Sequence, residues 1–429
     1  MIQMECDILV IGAGILGLSL AYHLKEENPG KKVVVIDKYG GPGQGNSAKS
    51  EGGFRNLFTS ETNFLLADST IDWFRHMEED MGHRLNLSYI GYLFLLDEEH
   101  YTGQAAAWNR IRGWGAEMRV LEREELQEKI PGLVVDFGKD EEAELLGLSS
   151  VDYGVLGKKC GSIDADALTR AYEEEFLKLG GDIEYVTEAK SLVLKPELEL
   201  EIPGEPFVWQ DVRITGAETG KGEIVADTTV VAAGVWSETL LDPLGIDSFM
   251  RPKKRQLFAF KDPRLESLFK VEGLNDYGVM PLTILPKAAI LFRPELSESS
   301  LWLGCADNLG RRFELEEDPQ AEEDYYTDDV YHVLVKYFPC FEDVRPMNMW
   351  AGQYAINGYD ELPVVAPAPG MIYVGGASGS GIMKCDAVGR IAAALYAGEE
   401  EAELYGGRRF RVSDIGIHRR RVERESLIL

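Results

Sequence analysis

Three glycines and an acid carry the clearest chemistry in this chain. Gly12, Gly14 and Gly17 stand at G-x-G-x-x-G spacing, and Asp37 follows twenty residues after the last of them. That pattern holds a dinucleotide: the first glycine permits a tight turn, the second lets backbone approach a pyrophosphate, and the third lets helix and strand pack closely. A helix opening at Ile15 and Leu16 would point free N–H groups and partial positive charge at the phosphates. Asp37 would accept hydrogen bonds from ribose hydroxyls. Lys38 to Arg55 follows, eighteen residues of which six are glycine and one is proline. Such a segment suits close approach to a flat, phosphate-bearing ligand, with Gly45, Asn46 and Ser47 at its centre. Two later stretches repeat the theme. Val231-Ala-Ala-Gly234-Val-Trp-Ser237 ends an apolar run in small residues, and Met371 to Gly389 reads as strand, glycine-serine turn and helix.

The elements that must position these groups are legible around them. Ile8–Ile11 and Val33–Ile36 read as buried strands flanking a helix over 16–25. Helices are expected over 61–79, 123–129, 167–179, 329–337 and 381–397. Strands are expected over 90–96, 183–186, 191–194, 224–231, 256–260, 289–292 and 301–303. The acidic segment Glu314–Asp329 reads as a solvated connection, and the tail from Gly406, with Arg419-Arg-Arg421, as surface packing. The fold class is α/β: a Rossmann-type dinucleotide domain (1–88, 151–245 and 355–429) interleaved with a mixed-sheet, α+β substrate domain (89–150 and 246–354).

Composition narrows the partners. With 44 Lys and Arg against 73 Asp and Glu, the net charge is −29, which argues against nucleic acid or an anionic membrane surface. Solubility explains the excess simply; docking to a basic electron carrier is the sharper account. Five scattered cysteines form no C-x-x-C pair, so no disulfide framework, zinc site or dithiol centre is indicated and no metal is expected. No apolar run approaches a membrane span. These features predict a cytoplasmic protein.

FAD is the expected cofactor, for two reasons. Nucleotide-binding signals recur at both ends of the chain, so the ligand is long and wrapped by separate segments. The helix entering at Gly381 would suit the pyrimidine edge of a flavin, where reduction builds negative charge. One fingerprint leaves no seat for a nicotinamide, so electrons would come from a small substrate and leave to an external carrier, quinone or dye. The six histidines, at 23, 76, 83, 100, 332 and 418, lie outside these segments. Hydroxy-acid oxidation commonly uses such a base, so their absence favours an amine.

Gly12-Ala-Gly-Ile-Leu-Gly17, Asp37, the Gly-Asn-Ser-Ala segment ending at Arg55, Val231-Ala-Ala-Gly234 and Ser378-Gly-Ser-Gly-Ile-Met-Lys384 occur in one family's order. The chain resembles the D-amino-acid oxidase superfamily of flavoproteins, in the glycine and sarcosine oxidase branch. Arg251-Pro-Lys-Lys-Arg255, Asp307-Asn-Leu-Gly310, Trp350-Ala-Gly352 and Ser378–Lys384 look most like archaeal dye-linked L-proline dehydrogenases. The resemblance implies that Arg55 holds a substrate carboxylate, with Tyr354 beside it; the other reading of Arg55 is a side chain bonding loop carbonyls or flavin. Met383 stands where sarcosine oxidases carry a carboxylate-binding lysine, and Lys384 comes one place later, a step of about 100° on a helix. The family's flavin-tethering cysteine aligns with Gly352, so no tether is expected by that route. The lysine linked to oxygen activation aligns with Arg293 or is displaced to Lys287, which favours a dehydrogenase.

The residues expected around FAD are Gly12, Gly14, Ile15, Leu16, Gly17, Asp37, Lys38, Gly45, Asn46, Ser47, Ala233, Gly234, Trp236, Gly352, Gly379, Ser380, Gly381, Ile382, Met383 and Lys384. Arg55, Tyr354, Met383 and Lys384 are expected at the substrate. The expected activity is oxidation of a small secondary amino acid, L-proline first, to an imine by hydride transfer to flavin N5. The rivals are an oxidase of glycine, sarcosine or a D-amino acid, a hydroxy-acid or glycerol-phosphate dehydrogenase, and a non-catalytic flavoprotein serving assembly or electron transfer. A homo-oligomer is left open.

Overall fold

The computed structural model describes residues 4–286, 289–306 and 312–427. The elements that frame the site are, in chain order, β1 (Met4–Ile11), α1 (Ile15–Glu27), β2 (Val33–Ile36), α2 (Glu61–Glu79), β3 (Tyr92–Leu96), α3 (Ala165–Lys178), β4 (Gly222–Val231), β5 (Met250–Phe260), β6 (Asn348–Asn357), β7 (Met371–Gly375) and α4 (Cys385–Tyr396).

Two eight-stranded sheets organise them. The first runs Val364–Ala368, β7, β4, β1, β2 and Asp182–Glu184. Its central pairs, β7 with β4, β4 with β1 and β1 with β2, are all parallel. Continuous apolar runs are what a doubly covered parallel sheet needs. Ile8 to Ile11 and Val33 to Ile36 are all buried accordingly. On one face α1, α3 and α4 meet α2 in a core that includes Leu18, Phe74, Leu168 and Ile391. On the other lie Leu9, Val34, Ile214 and Tyr373.

The second sheet is mixed, in the order β6, β5, Ser300–Cys305, Ile290–Glu295, Leu282–Ile284, β3, Tyr153–Gly157 and Met118–Glu122. Strand Tyr153–Gly157 carries this sheet past the boundary at residue 150 expected from sequence. Met118–Glu122 is a strand that the sequence pattern does not predict. It has no strong apolar run, and pairing with its neighbour makes it a strand. A short antiparallel pair, Gly53–Phe54 with Gly161–Ser162, anchors the glycine-rich loop. Among the described residues no helix is long and apolar enough to cross a membrane.

Two expectations for connecting segments need correction. The acidic segment is not simply solvated: Tyr325 and Tyr326 are buried in the second core, and Glu317 and Glu322 pair with Lys38 and Lys254. The tail does more than lie on the surface. Arg420 forms a two-pronged pair with Asp360, at 2.5 and 2.7 Å, and Glu425 and Leu427 are buried. Of the arginine cluster, Arg420 is thereby an internal anchor.

Candidate active site

Gly12 turns the chain out of β1 with a φ of +113°, a conformation that L side chains rarely adopt, and a Cβ there would meet Ala232 O at 2.5 Å. Gly17 packs just as closely, since its Cβ would fall 1.9 Å from Gly12 O. Gly14 is different: the nearest atom to its Cβ is Ser47 Oγ at 3.4 Å, leaving backbone open to a ligand. Each glycine therefore has the spatial part that its position in the spacing requires.

One cavity runs from this turn to the edge of the second sheet. It is bordered by every residue expected around the cofactor except Gly17, which stands behind Gly12, and by Arg55, Tyr354, Met383 and Lys384. At one end Asp37 accepts N–H bonds from Ala13 (2.7 Å) and Tyr39 (2.8 Å). Burial raises its pKa, and those two bonds oppose the rise. Each carboxylate oxygen keeps acceptor capacity for a ribose hydroxyl. Lys38 lies 4.0 Å over the Trp236 ring, and both bond Glu317. Part of the acidic segment thus covers this end.

In the middle Ser47 Oγ accepts from Ile15 N–H at 3.0 Å, fastening the glycine-rich loop to the N-terminus of α1. Asn46 accepts from Gln353 N–H at 2.8 Å, fastening it to β6. A Cβ on Gly352 would stand 3.2 Å from both Asn46 Oδ1 and Lys49 Cβ, so a larger side chain there would push the loop away.

The far end is formed by β6, α2, the turn after β7 and the tail. The expected helix start at Gly381 is a 3-10 turn over Ile382–Lys384, and α4 begins at Cys385. The turn orients both Met383 and Lys384 to border the cavity. Lys384 is 1% exposed and donates to Asn63 Oδ1 (2.5 Å) and Ser380 Oγ (2.6 Å). Burial pulls its pKa down to about 7; Glu425 opposes and Arg55 adds to the shift. Tyr354 is pushed up to about 12 by burial and by Glu51, with Arg255 opposing. Arg255 stands 5.2 Å from its ring, and a Cβ on Gly379 would strike that ring at 2.3 Å.

Arg55 lies 4.4 Å from the Phe58 ring, with Tyr92 and Phe94 beyond. Both alternatives for it bear on what is seen: it donates to the carbonyls of Leu57 (2.9 Å) and of Leu427 in the tail (2.6 Å), and it borders the cavity. Two of its five N–H donors are thereby engaged. Glu425 receives Thr59 N–H and hydroxyl, Ser60 N–H and the Asn63 amide at the start of α2. Burial works against its charge, but Thr59, Arg55 and backbone N–H groups hold its pKa below the usual carboxylate value.

Sequence reasoning missed Glu51, Tyr92, Arg255, Glu361 and Glu425, all of which border the cavity. Glu51 sat within the glycine-rich loop already singled out, and Arg255 within a stretch noted for resemblance; Glu425 had no local signal. Arg293 turns to Glu51 O at 2.8 Å and to Glu295, and does not border the cavity. Lys287 and Asp307–Gly310 lie outside the described residues. None of the histidines borders the cavity; His23 meets Asp386 at 2.8 Å between α1 and α4.

Residues 7–395 match the family model described as DAO, FAD dependent oxidoreductase. The chain belongs to this family. FAD is accordingly its cofactor, and the cavity suits it: open backbone at Gly14, an acid at one end and a helix-preceding turn at the other. FAD-dependent oxidoreductase domain-containing protein 1 of Xenopus laevis is 24% identical over 417 residues, 91% of this chain and 79% of its own. Sarcosine oxidase subunit beta of Rhodobacter capsulatus is 21% identical, over 85% and 77%. The crystal structure of L-proline dehydrogenase from P. horikoshii superposes with a TM-score of 0.73 at 22% identity, covering 93% of this chain and 95% of that one. These likenesses fix the fold, a FAD-binding Rossmann-like sheet with a separate mixed sheet.

Proposed function

We propose that this protein is an FAD-dependent dehydrogenase of a small secondary amino acid, with L-proline the leading substrate. The observation that carries the reading is the far end of the cavity. There an aromatic floor of Phe58, Tyr92 and Tyr354 lies beside the guanidinium groups of Arg55 and Arg255 and the amine of Lys384. A small apolar ring bearing a carboxylate fits that combination, because the rings exclude water and strengthen each charge–charge contact. The phenol of Tyr354, kept protonated, can donate to the same carboxylate. The domain organisation read from sequence puts this end between the two sheets, and the likeness to sarcosine oxidase subunit beta and to L-proline dehydrogenase supports an amine.

Bound FAD supplies a hydride acceptor. The side chains hold the amino acid by its carboxylate, present the carbon beside nitrogen to the flavin, and exclude water from the C–H bond. The turn Gly379–Lys384 borders the cavity and would lie against the flavin where negative charge develops. The crowding at Gly352 supports FAD held without a tether at that position. The test is product identity. Native protein loaded with FAD, supplied with L-proline and a reducible dye, should accumulate a cyclic imine that condenses with o-aminobenzaldehyde. Dye reduction by sarcosine or glycine but not L-proline would move the substrate, and peroxide formed in air at the dye-linked rate would make it an oxidase.

A further inference from the structure

The glycine-rich loop carries one more ionisable side chain to the substrate end of the cavity. Glu51 borders the same space as Arg55, Tyr92, Tyr354 and Lys384. Its placement is fixed from behind. Its own carbonyl accepts from Arg293 Nε at 2.8 Å, and that arginine is 2% exposed and paired with Glu295. Two residues later the chain enters the Gly53–Phe54 pairing with Gly161–Ser162. The carboxyl folds along this chain, with Oε1 3.2 Å from where a Gly53 Cβ would be. Among the described residues no group hydrogen-bonds to that carboxyl, in contrast to Glu425, whose oxygens are fully engaged.

Among the described residues the groups facing Glu51 are few. Tyr92 comes from β3, Tyr354 from β6, Arg293 from strand Ile290–Glu295, and Arg55 lies four residues on. Arg255 is next to Tyr354, and Lys384 and Glu425 border the cavity farther along. Burial raises the Glu51 carboxyl to about 7, with Arg293 opposing. A base with that affinity is suited to proton transfer at neutral pH.

An amine substrate arrives as ammonium. With an alkylammonium pKa of about 10.4, roughly one molecule in 10³ is neutral at pH 7. Only the neutral form has the nitrogen lone pair that forms the C=N bond. We propose that Glu51 is the proton acceptor for the substrate ammonium, a role that rests on the amine reading above. The Glu51 carboxylate takes the N–H proton, leaving neutral amine and carboxylic acid. Bound FAD would supply the hydride acceptor, and loss of the adjacent hydrogen with its electron pair would let the nitrogen lone pair close the iminium cation. After product leaves, Glu51 returns its proton to water.

Two readouts test this. In the FAD-loaded protein, the rate of anaerobic flavin reduction by saturating L-proline should rise with pH through a midpoint near 7. Glu51→Gln should lose that limb, fall by about 10²-fold at pH 7, and approach the native rate only as the amine itself deprotonates. Glu51→Asp should restore the limb in part. A limb retained in Glu51→Gln, or one abolished by Lys384→Met alone, overturns the proposal. The second readout needs no substrate. The native-minus-Glu51→Gln infrared spectrum should show a carboxylic acid C=O band that vanishes as pH rises through about 7. Its absence at pH 6 overturns the proposal even if L-proline reduces the flavin. A titrating band with no amine able to reduce the flavin refutes the amine reading and this role together, while leaving Glu51 as the titrating group.

Discussion

Replacing Glu425 by glutamine should release the tail from the substrate end of the cavity without unfolding the protein. The native carboxylate accepts from Thr59 N–H (2.9 Å), the Thr59 hydroxyl (2.5 Å), Ser60 N–H (3.2 Å), Asn63 Nδ2 (3.2 Å) and Leu427 N–H (2.9 Å). Four of these groups surround the start of α2, where a negative charge is favoured. Glutamine keeps the shape but removes the charge, and turns an NH2 toward groups that need an acceptor. Losing charge assistance weakens these bonds by about 1–2 kcal/mol, and one orphaned donor adds about 1–3 kcal/mol. The helix-end contribution is about 0.3–1 kcal/mol. These overlap, so about 2–4 kcal/mol of tail docking is the reasoned loss. At 1.4 kcal/mol per tenfold, that is about 30- to 700-fold faster amide exchange at Thr59, Ser60 and Leu427. Arg420–Asp360 should keep residues before the break in place. The pH dependence has a definite sign. Because the folded pKa of Glu425 is depressed, its contribution is present above the ordinary carboxylate pKa and is lost as pH falls through the folded value. Native protein should loosen its tail only in acid, whereas the variant should exchange rapidly at neutral pH. Exchange at Thr59 unchanged within about threefold at pH 7 would refute the reasoning.

Three further outcomes follow from the same geometry. Gly17→Ala places a methyl 1.9 Å from Gly12 O, so α1 must shift; flavin content after purification should fall to near zero and Tm should drop by an amount equivalent to about 1–3 kcal/mol. Gly379→Ala puts a Cβ 2.3 Å from the Tyr354 ring at a φ of +83°, and the fraction that retains flavin should show a KM for the amino acid raised at least tenfold in steady-state assays. Lys384→Met removes an ammonium that burial disfavours. Because its folded pKa of about 7 lies below the unfolded value, native protein gains stability as pH rises from 7 toward 10, and any advantage of the variant in Tm should shrink over that range.

What the chain discloses locally, it discloses well. The β1–α1–β2 unit could be read because every constraint lies within thirty-odd residues: two apolar runs, glycines whose side chains would collide, and an acid at the next strand's end. Gly45, Asn46 and Ser47 were found for the same reason. The substrate end was harder. Arg55 meets Leu427 across 372 residues of sequence, and no periodicity or spacing relates them. Tyr354 and Gly379 come together because β6 and the turn after β7 share hydrogen bonds from Ser378 N–H to Ala355 O and Asn357 N–H to Ser378 Oγ. Glu317 is solvent-facing, as a run of acids reads, but its bonds could not be foreseen, because the lysine and indole that recruit it lie on segments far away in the chain. Lys384 was hard to orient because a helix was assumed where a tighter turn stands.

In the proposed activity a carbon bearing nitrogen gives up a hydride to FAD held in this cavity. Anaerobic bleaching of the flavin near 450 nm tests it directly, with L-proline, sarcosine, glycine, D-alanine and 2-hydroxyglutarate added in turn to the FAD-loaded protein. Rapid bleaching by L-proline, reversed quickly by a dye and slowly by air, is the result expected. A flavin that stays oxidised with every amine, or that is bleached by 2-hydroxyglutarate alone, would contradict it.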